Sequence, residues 1–312
     1  MGLFHCPLGA LGYGDDGCIQ CGLCSAVTRA QKIEATQKMR AWIRENRQSS
    51  NPDLLIQKIA VCGKGGSGKS TLTALLSGAL EHIGYRTLIL DTDSSNGGLY
   101  KKLGMDAPPL PLNQTEEGNC APAFLNREQI YFEEVEEPFV VTNRMRSLVC
   151  AGKIEDPLMG CACTIGEYAR ILIQKLSTQA REIVIADQEA GVESFGRGIE
   201  ASCDTILIMV EPSIESVELA GKIQYMAQGI GIQRIRAILN KIEDEEQEEF
   251  ILDRLTEQGV RCLGKIEDSK QIRNRNLFSR ELLPEEGFAL TGSIATCMLD
   301  EAEMTYDRPQ GF

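Results

Sequence analysis

The 312-residue chain predicts an α/β fold built on a doubly wound, mostly parallel sheet. Short β-branched runs alternate with stretches of helical apolar spacing from residue 55 onward, and a glycine-rich loop joins the first run to the first long helix. In a sheet of this kind, ligands bind beyond the carboxyl ends of the strands. The sequence predicts strands at 57–62, 87–91, 139–142, 182–187, 205–210, 235–242 and 260–266.

The glycine-rich loop has the pattern of a phosphate-binding loop, because residues 63–71 read Gly-Lys-Gly-Gly-Ser-Gly-Lys-Ser-Thr before a helix expected over 70–84. Lys69 is expected to supply charge to the phosphates and Ser70 a hydroxyl to Mg²⁺. A chance glycine-rich turn is the alternative, and the flanking strand and helix disfavour it. The predicted nucleotide-binding residues here are Gly63, Lys64, Gly65, Gly66, Ser67, Gly68, Lys69, Ser70 and Thr71.

A second lysine, Lys64, follows the first glycine of the loop. The two-lysine pattern resembles the deviant phosphate-loop ATPases, the superfamily of MinD, ParA and the nitrogenase iron protein. The resemblance implies that Lys64 crosses to the nucleotide of a facing subunit, so that a homodimer encloses ATP. A solvated loop lysine is the alternative. Lys64 and Lys69 are therefore candidate catalytic residues.

Acidic residues end two of the predicted strands. Asp187 is expected to reach Mg²⁺ through water. The resemblance implies that Asp91 supports the same ion and that Asp93 orients the attacking water as a catalytic residue, although Asp91 could instead cap its strand. It also implies that Asn240 and Lys241 bind nucleotide, with the Asn240 amide reading the edge of adenine and favouring ATP over GTP; an ordinary surface turn is the alternative.

Residues 187–198 read Asp-Gln-Glu-Ala-Gly-Val-Glu-Ser-Phe-Gly-Arg-Gly, and the strand that follows ends in Val-Glu-Pro-Ser at 210–213. This combination resembles the CooC-type ATPases, which insert nickel into carbon monoxide dehydrogenase. The resemblance runs from about residue 57 to 285. It implies an ATP-hydrolysing, homodimeric metallochaperone whose partner is a metalloenzyme such as carbon monoxide dehydrogenase.

Cys161 and Cys163 form a Cys-x-Cys before a helix expected to begin near Ile165. Two thiolates leave a tetrahedral metal site two ligands short, and a two-fold dimer would complete it. The resemblance implies Ni²⁺ or Zn²⁺ at the subunit interface, or a shared [4Fe–4S] cluster as in the nitrogenase iron protein. Buried structural cysteines are the alternative.

The N-terminal cysteines form a second candidate metal site. Cys18, Cys21 and Cys24 have ferredoxin-type spacing, and Cys6 precedes a proline as a remote fourth ligand does. We expect one [4Fe–4S] cluster, with zinc as the alternative. Three regions follow: a ferredoxin-like cysteine module, a helix with a linker, and a phosphate-loop ATPase domain, at 1–26, 27–52 and 53–312.

Composition limits the partners. A net charge of −13 disfavours nucleic acid, and no apolar run is long enough to cross a membrane, so we expect a cytoplasmic protein. Twelve cysteines in a reducing compartment indicate metal chemistry rather than disulfides. An ATP-gated iron–sulfur reductase and an Mrp-type iron–sulfur assembly scaffold stay open as alternatives, because the N-terminal cysteines favour both.

Overall fold

The computed structural model describes residues 28–46, 56–93, 97–114, 122–152, 163–192, 195 and 198–306. Its centre is an eight-stranded sheet in the order β3-β4-β2-β5-β1-β6-β7-β8, in which every pairing except β3 with β4 is parallel. The predicted doubly wound sheet is confirmed. The strands are β1 (Lys58–Gly63), β2 (Arg86–Asp91), β3 (Val141–Asn143), β4 (Arg146–Cys150), β5 (Glu182–Asp187), β6 (Thr205–Val210), β7 (Arg234–Leu239) and β8 (Arg261–Lys265).

Helices cover both faces of this sheet, which explains why the central strands are buried apolar runs rather than alternating ones. One core lies between the sheet and helices α2 and α8, and the other lies between the sheet and helices α4, α5 and α6. The helices are α1 (Arg29–Asn46), α2 (Lys69–His82), α3 (Leu99–Lys102), α4 (Cys163–Lys175), α5 (Ile214–Gly229), α6 (Glu245–Glu257), α7 (Lys270–Leu277) and α8 (Pro284–Tyr306).

The structure corrects the prediction in one part of the sheet. The expected strand at 139–142 is shifted to β3 (Val141–Asn143), and β4 (Arg146–Cys150) was not predicted at all. The two strands form a hairpin whose turn holds Arg144 at φ 56°. Because β4 also pairs with β2, it joins this hairpin to the parallel sheet.

The helix expected within residues 27–52 is confirmed as α1. An acidic run at 243–249 leads into α6, where Glu245, Glu246 and Glu249 are exposed. The helix expected from Ile165 begins earlier, at Cys163. None of the helices in the described ranges is long and apolar enough to cross a membrane.

Candidate nucleotide site

The loop between β1 and α2 depends on glycine at its ends. Gly63, Gly66 and Gly68 have φ values of 141°, 78° and 106°, which side chains rarely adopt. A Cβ at Gly63 would lie 2.6 Å from the carbonyl oxygen of Met209, and one at Gly68 would lie 2.5 Å from Nδ2 of Asn240. Met209 and Asn240, at the ends of the neighbouring strands, therefore leave no room for a side chain at Gly63 or Gly68.

The loop places a cation at the open end of α2. The Nζ atom of Lys69 donates to the carbonyl oxygen of Lys64 at 3.1 Å and lies 3.4 Å from that of Gly63. Among the residues that the structure describes, no side chain caps the N-terminus of α2, where Gly68 is the N-cap residue. Free amides and a lysine at one helix N-terminus are the features that bind phosphate.

Two residues after β7 hold the loop from outside. Asn240 donates from Nδ2 to the carbonyl oxygen of Ser67 at 2.8 Å, and Lys241 donates from Nζ to that of Gly66 at 2.7 Å. The hydroxyl of Ser67 is buried without a hydrogen-bond partner in the described part of the chain. Asn240 and Lys241 therefore lie at the loop as predicted, and contact with adenine stays a prediction.

Asp187 ends β5 beneath the loop. Both of its carboxylate oxygens are buried, and neither accepts a hydrogen bond from any described residue. Burial raises the pKa of Asp187 to about 7, and the Asp91 carboxylate acts in the same direction. The nearby Ser70 hydroxyl and Lys69 ammonium favour the ionised form of Asp187 and so act to lower its pKa. A buried carboxylate left in this state suits a divalent cation beside phosphate.

Asp91 lies beside Asp187 because β2 and β5 run parallel with these residues in register. The backbone amide of Asp93 donates to Oδ1 of Asp91 at 3.1 Å, which fixes the turn after β2. Cys150, opposite Asp91 on β4, places its Sγ 4.0 Å from Oδ2 of that aspartate. The structure thus brings the three predicted aspartates to one edge of the sheet, and Ser70, Asp91 and Asp187 are the residues that would hold Mg²⁺.

In this structure the side chain of Lys64 contacts residues of its own chain. Its Nζ is 3.2 Å from Oε1 of Glu211, 3.9 Å from Oε2 of Glu215, and donates to the hydroxyl of Ser213 at 3.3 Å. Glu211 also accepts from Lys241 at 3.0 Å. Although burial acts to raise it, the pKa of Glu211 is lowered by hydrogen bonds from both lysines. Glu211 therefore stays ionised and holds Lys64 at the rim of the site.

A further lysine near the loop was missed by sequence reasoning. Lys102, at the end of α3, has its Nζ 3.4 Å from the hydroxyl of Thr71 and donates to the side-chain oxygen of Asn276. Burial lowers the pKa of Lys102, while attraction by Asp187 opposes that shift. The sequence offers one indication of the role of Lys102, which is its position shortly after a strand that ends in an aspartate. No sequence pattern points to Asn276.

The predicted metal-binding cysteines fall mostly outside the described residues. Cys161 lies outside them, and Cys163 is the first residue of α4. Within the described ranges, no group of three or more cysteine, histidine or acidic side chains has the arrangement of a metal site. The predicted ligands of the N-terminal cluster, which also lie outside the described residues, are Cys6, Cys18, Cys21 and Cys24.

Other cysteines occupy packing positions. The thiols of Cys62, Cys150 and Cys203 are buried, and those of Cys262 and Cys297 are partly exposed. Burial raises the pKa of Cys62 well above that of an ordinary thiol. Cys62 and Cys203 pack in the core as small apolar residues.

The sheet, the glycine loop and the carboxylates at the strand ends define a phosphate-loop nucleotide-binding protein. The family of CobQ/CobB/MinD/ParA nucleotide-binding domains matches residues 58–281. The chain belongs to this family and is an ATPase that binds nucleotide with Mg²⁺.

Three known proteins are similar in sequence to this chain. An uncharacterized ATP-binding protein of Methanocaldococcus jannaschii is 34% identical over 241 residues, covering 73% of this chain and 94% of the relative. The carbon monoxide dehydrogenase accessory protein CooC of Rhodospirillum rubrum is 32% identical, covering 63% and 79%. The light-independent protochlorophyllide reductase iron-sulfur ATP-binding protein of Halorhodospira halophila is 25% identical, covering 73% of each chain.

Among solved structures, the septum site-determining protein MinD from Pyrococcus horikoshii with Mg-ADP has a TM-score of 0.55 and 19% identity. The match covers 80% of this chain and 95% of that one. The likeness confirms the fold.

Proposed function

We propose that this ATPase is a homodimeric accessory protein that uses ATP to deliver a metal ion to a nickel–iron–sulfur enzyme such as carbon monoxide dehydrogenase. The observation that carries the proposal is the Cys-x-Cys of Cys161 and Cys163, whose second cysteine begins α4, in a chain similar to a carbon monoxide dehydrogenase accessory protein. Soft thiolates are the ligands that Ni²⁺ and Zn²⁺ accept. The ion is cargo, held by two cysteines from each subunit.

The fold offers a route from nucleotide to cargo. Asp187 ends β5, and the chain after it leads to a short helix at Glu200–Ser202. That short helix contacts α4, whose first residue is Cys163. In the proposed function, a displacement that begins where phosphate and Mg²⁺ would meet Asp187 would be passed to α4 through this contact.

Lys64 supplies the second part of the proposal, dimer closure. In this structure Glu211 and Ser213 hold its ammonium on its own chain. The phosphates of an ATP bound to a facing subunit carry more charge than Glu211 and compete for Lys64. Closure of two subunits around ATP would bring the paired thiolates together, and reopening would separate them.

The N-terminal cysteines fit this function as a second metal site. Cys6, Cys18, Cys21 and Cys24 would hold one [4Fe–4S] cluster, which supplies electrons when bound; zinc is the competing occupant. The similarity to an iron-sulfur ATP-binding protein of protochlorophyllide reductase favours a second function, an ATP-gated reductase. In that function, or in an iron–sulfur assembly scaffold, Cys161 and Cys163 would hold a bridging cluster instead.

Metal analysis separates these functions. Protein purified without oxygen is measured for nickel, zinc, iron and sulfide with ADP and with a non-hydrolysable ATP analogue. A metal carrier should bind about one Ni²⁺ or Zn²⁺ per dimer, with nucleotide-dependent affinity, and lose it in Cys161→Ser or Cys163→Ser. Cys297→Ser, in α8, is the matched control.

The opposing outcomes are distinct. Iron and sulfide that depend on Cys161 and Cys163 would support the reductase or scaffold. One ion per monomer, insensitive to nucleotide, would contradict all of these functions.

A further inference from the structure

A cavity of about 410 Å³ opens between the start of α5 and the middle of α6. Ile214 and Phe250 line it from these two helices, with Pro212 and Ile251 also in its lining. Ile214 is 48% exposed and Phe250 is 45% exposed, although Ile251 is buried. Two large apolar side chains left accessible around one cavity are typical of a surface that another molecule covers.

The surroundings of this groove are acidic. Glu243 lines it, and Glu246 lies one helical turn before Phe250 on α6. Glu243, Glu245, Glu246 and Glu249 are all exposed, and none of them forms an ion pair with another described residue. The neighbouring cations are already paired.

Arg254 is one of these paired cations. Its guanidinium lies 5.3 Å from the centre of the Phe250 ring and bonds Glu257 at 2.8 Å. Lys64 and Lys241 both bond Glu211. The groove thus combines accessible apolar surface with uncompensated negative charge, which repels anionic membranes and nucleic acid and attracts a basic partner.

We propose that the groove formed by Ile214, Phe250, Glu243 and Glu246 is the docking site for a basic amphipathic helix of a partner protein. The apolar face of such a helix would fill the cavity, and its lysines or arginines would reach the carboxylates along α6. The groove adjoins the nucleotide loop, because Ser213 both lines the cavity and accepts the hydrogen bond from Lys64. The proposal requires neither a bound metal nor dimerisation.

The test uses the full chain and a fluorescein-labelled peptide of leucine and lysine, 16 residues long by design, that forms an amphipathic helix. Fluorescence anisotropy should show saturable binding that weakens with salt. Phe250→Ser and Ile214→Ser should each weaken it at least tenfold, and Glu246→Lys several-fold with a shallower salt dependence. A matched peptide of leucine and glutamate should not bind.

Two variants provide controls away from the groove. Tyr225→Ser removes a 71% exposed aromatic ring from the same helix, α5, and Glu285→Lys reverses an exposed charge at the start of α8. Both should bind the lysine peptide as the parent chain does. Urea unfolding of every variant confirms that it is folded.

Four results would overturn the proposal. Equal loss in Phe250→Ser and Tyr225→Ser would mean that the peptide binds any exposed aromatic side chain. No loss in either would mean general attraction to an acidic surface. Equal binding of the glutamate peptide would remove the role of the carboxylates. Self-association of the parent chain that Phe250→Ser abolishes would assign the groove to a second copy of the chain.

Discussion

The carboxylate of Asp187 is placed where its ionised form costs stability. Burial and the Asp91 carboxylate raise the pKa of Asp187 to about 7, whereas the pKa of an aspartate in an unfolded chain is ~4. Between these two pH values the native protein holds a proton that the unfolded chain has released. Stability contributed by this group is therefore full at low pH and falls as pH rises through the native pKa.

We expect Asp187→Asn to remove that dependence. Between pH 5 and pH 8, the free energy of unfolding of the parent chain without nucleotide should fall by about 2–3 kcal/mol relative to the variant. Urea unfolding across this range measures it, and Asp106→Asn, at an exposed aspartate, is the control. Mg²⁺ with ADP should flatten the curve of the parent chain. Parallel curves for parent and Asp187→Asn would mean that Asp187 is ionised throughout.

At the scale of elements, α2 and α8 approach so closely that their backbones touch. A Cβ at Gly287 would lie 2.4 Å from the carbonyl oxygen of Leu75, and one at Gly78 would lie 3.1 Å from Cα of Pro284. Since α2 begins with Lys69, this crossing fixes the helix that follows the phosphate loop. Glycine at the crossing thus serves packing rather than an unusual backbone angle.

We expect Gly287→Ala to lower the free energy of unfolding by about 1–3 kcal/mol, because the methyl group must push the two helices apart. This loss should appear even though alanine is favoured in a helix interior by about 1 kcal/mol. Gly292→Ala, in the same helix, is the matched control, since its Cβ would meet the exposed Phe288 side chain rather than the backbone of another helix. Equal stability of the two variants would show that α8 shifts freely.

Element order was largely predictable, because buried parallel strands are continuous apolar runs between helices. The strand β4 (Arg146–Cys150) was not, since it begins with an arginine and a serine. The Arg146 side chain is fully buried between Glu81 at 2.8 Å and Glu281 at 2.7 Å. Partners so distant in sequence cannot be inferred from a local pattern, so the burial of Arg146 was not foreseeable.

At the scale of the whole molecule, parallel strands bring loop, aspartates and Asn240 to one edge of the sheet, and this much followed from the sequence. The position of Lys64 did not. Its partners Glu211 and Ser213 are supplied by the turn after β6, and only the folded chain brings that turn to the loop. The two lysines of the loop therefore have separable tasks, one within the subunit and one at its rim.

We expect Lys69→Ala to abolish nucleotide binding, because it removes the charge held beneath the loop carbonyls. The Lys64→Ala variant should bind ATP nearly as well as the parent chain. It should not form dimers when ATP is added, and its ATP hydrolysis should be slow. Fluorescent-nucleotide titration and analytical ultracentrifugation measure the two effects. Glu215→Gln is the control, because the Glu215 carboxylate lies 3.9 Å from Lys64 and its side chain is 74% exposed. This variant should keep its ATP-dependent dimers. Normal ATP-dependent dimers of Lys64→Ala would leave Lys64 as a residue of its own subunit, bound to Glu211 in every state.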